Sequence, residues 1–303
     1  MTTPVYDAST LKRDRRTKAE IETLRSAIYA IVDRYKPCSA RQVYYVGLGS
    51  LWEKDQGNRR NYNNLIRNLG VMRETGELPW GWLSDSTRYC RIDTMYASVE
   101  DALTQTAEFY RRDLWARQPR HVEVWAESDS TSSLIEPVTR LLGVGLFSCR
   151  GQAGKEFAHN SAMAYKAMQK PVTILFVGDW DPSGLAIPRS LEERLQRYAG
   201  STVQIEFRRV AVSTTDAMSG EFQTHKVNRN DHNFARFAAM CDASGVPSDQ
   251  AMEVEAIPPP MLRDRLDREL YNLVDDPVSW NAVLAAEESE REIAMRIANG
   301  VTL

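Results

Sequence analysis

The chain has 303 residues, 43% of them apolar, and carries 38 Lys and Arg against 41 Asp and Glu, a formal net charge of −3. That length allows about two domains with a sizeable core, and the acidic balance speaks against a general nucleic-acid coat. No apolar run reaches the length of a membrane span and the amino-terminal residues lack the apolar core of a signal sequence, so a soluble, cytoplasmic protein with no membrane partner is expected. Four cysteines, Cys38, Cys90, Cys149 and Cys241, are scattered without zinc-ligand or redox spacing and read as reduced thiols. The charge is uneven. Residues 1–120 hold 20 Lys and Arg against 15 Asp and Glu, and the remainder 18 against 26. A basic first part suits nucleic-acid contact and an acidic second part suits metal binding, although solvated helix faces account for the charges equally well.

In chain order, residues 18–36 place Ile21, Leu24, Ile28 and Ile31 at helical spacing, and Pro37 closes the segment. A short helix follows, with Ser39 as its cap, through SARQVYY. After a loop with Gly47, Gly49 and Gly57, a third helix runs from about Tyr62 to Glu74. GELPWGWLSDSTR (76–88) then reads as a short aromatic hairpin in which Trp80 and Trp82 pack against the third helix. Three short helices and a wing describe a winged-helix unit, whose third helix usually enters the major groove. Asn61, Asn63, Asn64, Arg67 and Asn68 give that helix a polar face, and with Arg59 and Arg60 they make Arg59, Arg60, Asn64 and Arg67 candidate DNA contacts. A surface helix rich in amides fits the same residues.

A connecting helix is expected from about Ser98 to Arg117, ended by Pro119. The pattern then alternates: strands at 121–127, 144–149, near 174–177 and 203–212, with helices at 132–142, 155–169 and 185–198 between them. Strand and helix alternating over short connections means a parallel sheet with crossover helices. The remainder, to about Ala298, reads as mostly helical.

The most informative stretch is ILFVGDWDPSG, Ile174 to Gly184. An unbroken apolar strand is buried on both faces, and open parallel sheets place ligands at the carboxyl ends of their strands. Asp179 and Asp181 fall on one side if the chain stays extended, and paired carboxylates suit a hard divalent cation. Asp181-Pro182 is also a good helix cap, which accounts for Asp181 and leaves Asp179 unexplained. Glu127 ends the first strand of the same sheet.

A Glu at one strand end and an Asp-x-Asp at the next resembles the Toprim domain, over about Val122 to Val212. The resemblance implies that Glu127, Asp179 and Asp181 hold catalytic Mg2+, with Mn2+ as a substitute. Ser128 departs from the Lys or Gly that many members have after the Glu. Upstream, Arg41-Gln42-Val43-Tyr44-Tyr45 is similar to the Arg-x-x-Tyr-Tyr signature of the topoisomerase VI A subunit and the related meiotic double-strand-break proteins. In that family the second Tyr attacks DNA, so the resemblance makes Tyr45 the nucleophile and Arg41 its partner, with Tyr44 in packing. A phenol of pKa about 10 needs nearby positive charge, and Arg41 lies on the same helix face four residues earlier. A Tyr-Tyr pair in a short helix also serves simply as packing. MEVEAIPPPML (252–262) is similar to a segment that follows Toprim in the family, with Glu253 at its Glu.

The implied organisation is a tail at 1–19, a winged-helix domain of the CAP-like kind at 20–95, a connecting helix at 96–120, a Toprim domain with extension at 121–275 and a carboxy-terminal helix at 276–303. The implied function is Mg2+-dependent cleavage of double-stranded DNA through a 5′-phosphotyrosyl link, by a nucleoid-associated homodimer in which the Tyr of one protomer works with the Toprim domain of the other. Nothing resembles an ATPase and about seventeen residues precede the first helix, so a B-type ATPase partner is not expected and the short, stand-alone mini-A proteins are the better match. Arg150 and Lys155, after the second strand, are further candidates for phosphate contact, as are His225, Lys226 and Arg229 in a polar loop; His159 reads as a helix-face residue. Two rival functions fit the same residues: a Toprim metal nuclease that hydrolyses DNA without the Tyr, and a DNA-binding module with no catalysis.

Overall fold

The computed structural model describes residues 17–54, 59–83, 94–149 and 155–300, the side chains of 155 and 156 excepted. Helix α1 (Lys18–Tyr35) starts at a capping box, in which Thr17 and Glu20 exchange hydrogen bonds, and buries Leu24, Ile28 and Val32 along one stripe. Ser39 caps α2 (Ala40–Val46) by accepting from the Gln42 amide. Helix α3 (Arg60–Glu74) turns Leu65, Leu69 and Met72 into the same core. The wing region differs from the expected hairpin where it is described: Trp80–Trp82 form a 3-10 turn, and Leu83 bridges to Cys38 in parallel. Residues 84–88 lie outside the described residues. Trp82 packs on Tyr29 of α1, under the Lys36 ammonium and against the core that holds Leu65, Leu69 and Met72; Trp80 stays mostly exposed with the Arg73 guanidinium of α3 4.7 Å from its ring.

The connecting helix is shorter than its sequence suggests. Helix α4 (Val99–Phe109) stops at Tyr110, well before Pro119. Buried Glu287 accepts from the Arg111 side chain at 3.0 Å and from the Arg112 amide at 2.9 Å, and that grip holds the chain in an extended path where helix propensity alone would continue.

Four parallel strands follow, β1 (His121–Ala126), β2 (Gly145–Ser148), β3 (Val172–Val177) and β4 (Ile205–Ala211), in the order β2-β1-β3-β4. Helices α5 (Asp129–Leu141), α6 (Lys155–Met168) and α7 (Pro182–Ala199) make the crossovers. All six positions of β3 are buried because its two faces feed different cores. Leu175 and Val177 join Val124, Ala126, Leu134 and Ile135 on one side, whereas Ile174 and Phe176 join Trp125, Tyr165, Ile187 and Leu191 on the other. Each such side chain contributes about 1.5–3 kcal/mol on burial, which fixes the strand's register and therefore where its end falls.

The remainder is less uniformly helical than expected. Helix α8 (Thr214–Met218) is followed by β5 (His225–Lys226), α9 (Phe234–Ala243) and β6 (Gln250–Ala251), the two short strands pairing antiparallel. A 3-10 turn at Val254–Ala256 leads into α10 (Pro259–Tyr271), and α11 (Pro277–Ala298) packs along α4. Among the described residues no helix is long and apolar enough to cross a membrane.

Candidate metal centre and adjoining cleft

The site starts at the carboxyl ends of β1 and β3. The Glu127 amide donates to the Val177 carbonyl at 2.9 Å, and the Asp179 amide donates to Glu127 Oε2 at 2.8 Å. Two glycines allow this approach. A Cβ on Gly178 would lie 2.7 Å from Glu127 Oε2, and one on Gly184 would press on the Asp179 carbonyl and lie 3.0 Å from the same carboxylate oxygen. Asp181 turns away into the role that its Pro182 neighbour suggests: its Oδ1 accepts from the Gly184 amide at 2.6 Å and caps α7.

A second segment completes the acidic group. Trp180 and Met252 exchange main-chain hydrogen bonds of 2.8 and 2.9 Å, which lays the 252–256 segment beside the β3 end, and the Val254 amide then donates to Asp179 Oδ1 at 2.8 Å. Asp179, Glu253 and Glu255 thereby bring one carboxylate oxygen each to within 4.8 Å of one another. Three carboxylates are a hard, all-oxygen donor set that could hold a hard metal ion. This cluster shares only Asp179 with the expected Glu127, Asp179 and Asp181; Glu127 accepts from the Asp179 amide beside it, and Asp181 caps α7.

The charges are those of a site short of positive charge. Burial, and then the carboxylates of Glu127, Glu255 and Glu253, raise Asp179 well above the usual carboxylate range. Burial likewise pushes Glu127 up to about 7, against the hydrogen bond from the Asp179 amide. Asp181 is raised too, mainly by burial. Beneath the loop, Arg209 of β4 donates to the carbonyls of Gly178 at 2.8 Å, Asp179 at 3.2 Å and Gly184 at 2.6 Å. Burial lowers this guanidinium to about 10, partly offset by Glu127, Asp179 and Asp181. It is a fixed cation under the acids that straps strand end and helix start together.

Helix α2 approaches from the other side. Arg41 pairs with Glu253 and, through Nε at 3.4 Å, with Glu255, whose Oε1 also accepts from Ser130 Oγ at 2.8 Å. Lys54 Nζ lies 3.4 Å from Glu253 Oε1, and the Tyr45 phenol hydrogen-bonds Glu253 as well. Burial would raise Glu253, but Arg41, the Tyr45 hydrogen bond and Lys54 together hold it below the usual range. The phenol is pushed the other way, well above its ordinary value, by burial and by Glu253, with Arg41 opposing. Lys54 is lowered, chiefly by burial. Arg41, Tyr44, Tyr45, Lys54, Arg59, Tyr62 and Glu253 line a cleft of about 310 Å³. Tyr44 packs as expected, stacked on Trp52 at 5.9 Å and edge-on to Tyr62 at 5.4 Å.

No family model matches the chain, and no curated protein matches it.

The remaining candidates divide. Arg59 sits at the cleft rim with φ of +49°, a left-handed conformation that costs a non-glycine residue roughly 1 kcal/mol or more. Arg60 and Arg67 are exposed on α3 and Asn64 is half-buried, whereas Asn68 is buried, donating to the Asn64 carbonyl at 2.9 Å and accepting from Arg25. Arg150 and the Lys155 side chain lie outside the described residues. His159 is exposed on α6 against Tyr198; Lys226 and Arg229 are exposed. His225 is half-buried and kept neutral near the cleft, lowered to about 4 by burial and by Lys54. Sequence reasoning missed Glu255, Lys54 and Arg209. Their only signals were a second Glu two residues after Glu253, a Lys in a loop and one of three charged residues in a mixed strand.

Proposed function

We propose that the chain is a Mg2+-dependent DNA-cleaving protein of the topoisomerase VI A-like kind, with α1–α3 serving as a winged-helix unit and the four-stranded sheet as a Toprim-like domain. The observation that supports this reading best is one cleft in which Tyr45, Arg41 and Lys54 border the Asp179, Glu253 and Glu255 cluster. Arg41 offers a fork and Lys54 a point charge for the non-bridging oxygens of a backbone phosphate. Tyr45 Oη attacks the phosphorus. The new P–O bond forms as the bond to the 3′ oxygen breaks, leaving a 5′-phosphotyrosyl link and a 3′-hydroxyl. The phenol proton passes to water, and the 3′ oxygen takes a proton from water. A divalent cation held by Asp179, Glu253 and Glu255 would supply neutralisation of the charge that builds on phosphate and leaving group. Arg59, Arg60, Asn64 and Arg67 carry the flanking duplex, fixing position more than sequence. Tyr45 already meets the acids of its own chain, so one chain cleaves one strand, and a homodimer provides the two sites of a double-strand break.

The held-protonated phenol favours one alternative, hydrolysis by a metal-activated water that bypasses Tyr45. One experiment separates the two. Supercoiled plasmid is incubated with protein and Mg2+ or Mn2+, stopped with detergent and run with and without protease, for wild type and Tyr45→Phe. Broken DNA that enters the gel only after protease, and is absent with Tyr45→Phe, is the expected result. Free ends that persist in the variant assign the chemistry to hydrolysis, and no breaks with either metal would remove cleavage altogether.

A further inference from the structure

Two cations of the cleft, Arg41 and Lys54, are not waiting for a ligand; they are already committed to a carboxylate of the same chain. Glu253 takes Arg41 on one oxygen and Lys54 on the other, and it accepts from the Tyr45 phenol as well. These are contacts a phosphodiester would make: a guanidinium N–H and an ammonium on two oxygens, with a hydroxyl beside them. The carboxylate is half-buried, so the pairs are screened less than surface pairs and persist at physiological salt. It is also anchored, because the neighbouring Val254 amide is tied to Asp179 and Met252 to Trp180.

We propose that Glu253 is an internal plug: it occupies the phosphate seat formed by Arg41, Lys54 and Tyr45, and a nucleic-acid phosphate enters only when the carboxylate is drawn off those groups. This rests on the reading of the cleft as a DNA site and adds its regulation. Asp179, Glu253 and Glu255 would hold a cation that competes with Arg41 and Lys54 for the Glu253 carboxylate, so occupancy by cation and by phosphate would reinforce each other. Reciprocity is required, since a coupling free energy acts equally on both ligands.

The test is DNA binding without catalysis, measured by fluorescence anisotropy of a labelled duplex, first in EDTA. Glu253→Gln keeps the shape and the acceptor oxygen while removing the charge. It is expected to bind about tenfold more tightly than wild type, and with a salt slope steeper by about one to two, because Lys54 is freed and Arg41 keeps only its pairing with Glu255. Adding Arg41→Gln and Lys54→Gln to that variant erases both gains. Mg2+ competes for phosphates and ordinarily weakens such binding. Here it is expected to strengthen binding by wild type and weaken binding by Glu253→Gln. Equal affinities and slopes for wild type and Glu253→Gln, with binding still lost in the triple variant, overturn the plug and leave the cleft as the DNA site. Binding that ignores Arg41 and Lys54 in every background moves DNA elsewhere and overturns both, as does no binding by any variant. Far-ultraviolet circular dichroism of each variant separates lost binding from lost fold.

Discussion

Glu127 and Asp179 are joined through the main chain, the Asp179 amide donating to Glu127 Oε2 at 2.8 Å across two adjacent parallel strands. A carboxylate is thus built into the join between strand ends, where burial lifts it from an ordinary 4.5 to about 7. A raised carboxyl contributes stability that is fully present below about pH 4.5 and is lost as pH rises through about 7. Glu127→Gln keeps the acceptor and removes the titration. In EDTA its melting temperature, relative to wild type, should rise between pH 5 and pH 8, by roughly 2–4 °C for each kcal/mol relieved. A difference that is the same at both pH values would mean that the carboxyl is not raised.

The metal set is testable apart from any reaction. A ligand that binds only the folded state stabilises it by about 2.7 kcal/mol at one hundred times its Kd, so Mg2+ or Mn2+ should raise the melting temperature of wild type. Asp179→Asn and Glu255→Gln should abolish that shift. Asp181→Asn preserves a good cap for α7 and should retain it. Loss of the shift in Asp181→Asn would restore the trio expected from the sequence.

Gly184→Ala tests the close approach at the start of α7. The added methyl meets the main-chain carbonyl of Asp179, which has no rotamer to escape into, and crowds Glu127. A loss of about 1–3 kcal/mol in urea is expected, together with loss of the metal-induced melting shift. An unchanged urea midpoint would show that the loop yields freely.

Arg209 should be indispensable to the fold. Replacement by Met leaves the Gly184 carbonyl without its donor, leaves the Gly178 carbonyl only the Val212 amide, and exposes the acids to one another, at a cost of about 3–5 kcal/mol. Arg209→Lys should recover little, because a single ammonium cannot reach both carbonyls as the planar fork does. Near-complete rescue by Lys in urea unfolding would reduce the role of Arg209 to charge alone.

Local pattern made much of this legible. The unbroken run at 172–177 announces a doubly covered strand, Ser39 announces a helix start, and Asp181-Pro182 announces a cap; each signal lies within a few residues of its effect. Glu127 and Asp179 could be placed together because parallel strands deliver their ends to one edge. The convergence of Glu253 and Glu255 on Asp179 could not be derived that way. It depends on a two-bond bridge between Trp180 and Met252, in segments with no periodicity, and Glu253 stood out only through family resemblance. The premature end of α4 was hidden for a similar reason, since its cause is Glu287, far along the chain. Arg209 was overlooked because a strand pattern says which side chains alternate and nothing about carbonyls waiting beneath a loop.

Helix α2 has only seven residues, and it shares them between two neighbours. Val43 and Tyr44 belong to the helical core, with Tyr44 stacked on Trp52, whereas Arg41 and Tyr45 reach the acids. There is no slack between these two sets of contacts. Whatever rearranges Arg41 or Tyr45 also disturbs the ring that lies flat against Trp52, whose indole donates to the Tyr44 carbonyl at 2.8 Å. Trp52 is thus placed to report on the cleft, and its share of the emission of the seven tryptophans, taken as the difference from Trp52→Phe, is expected to change when a ligand arrives.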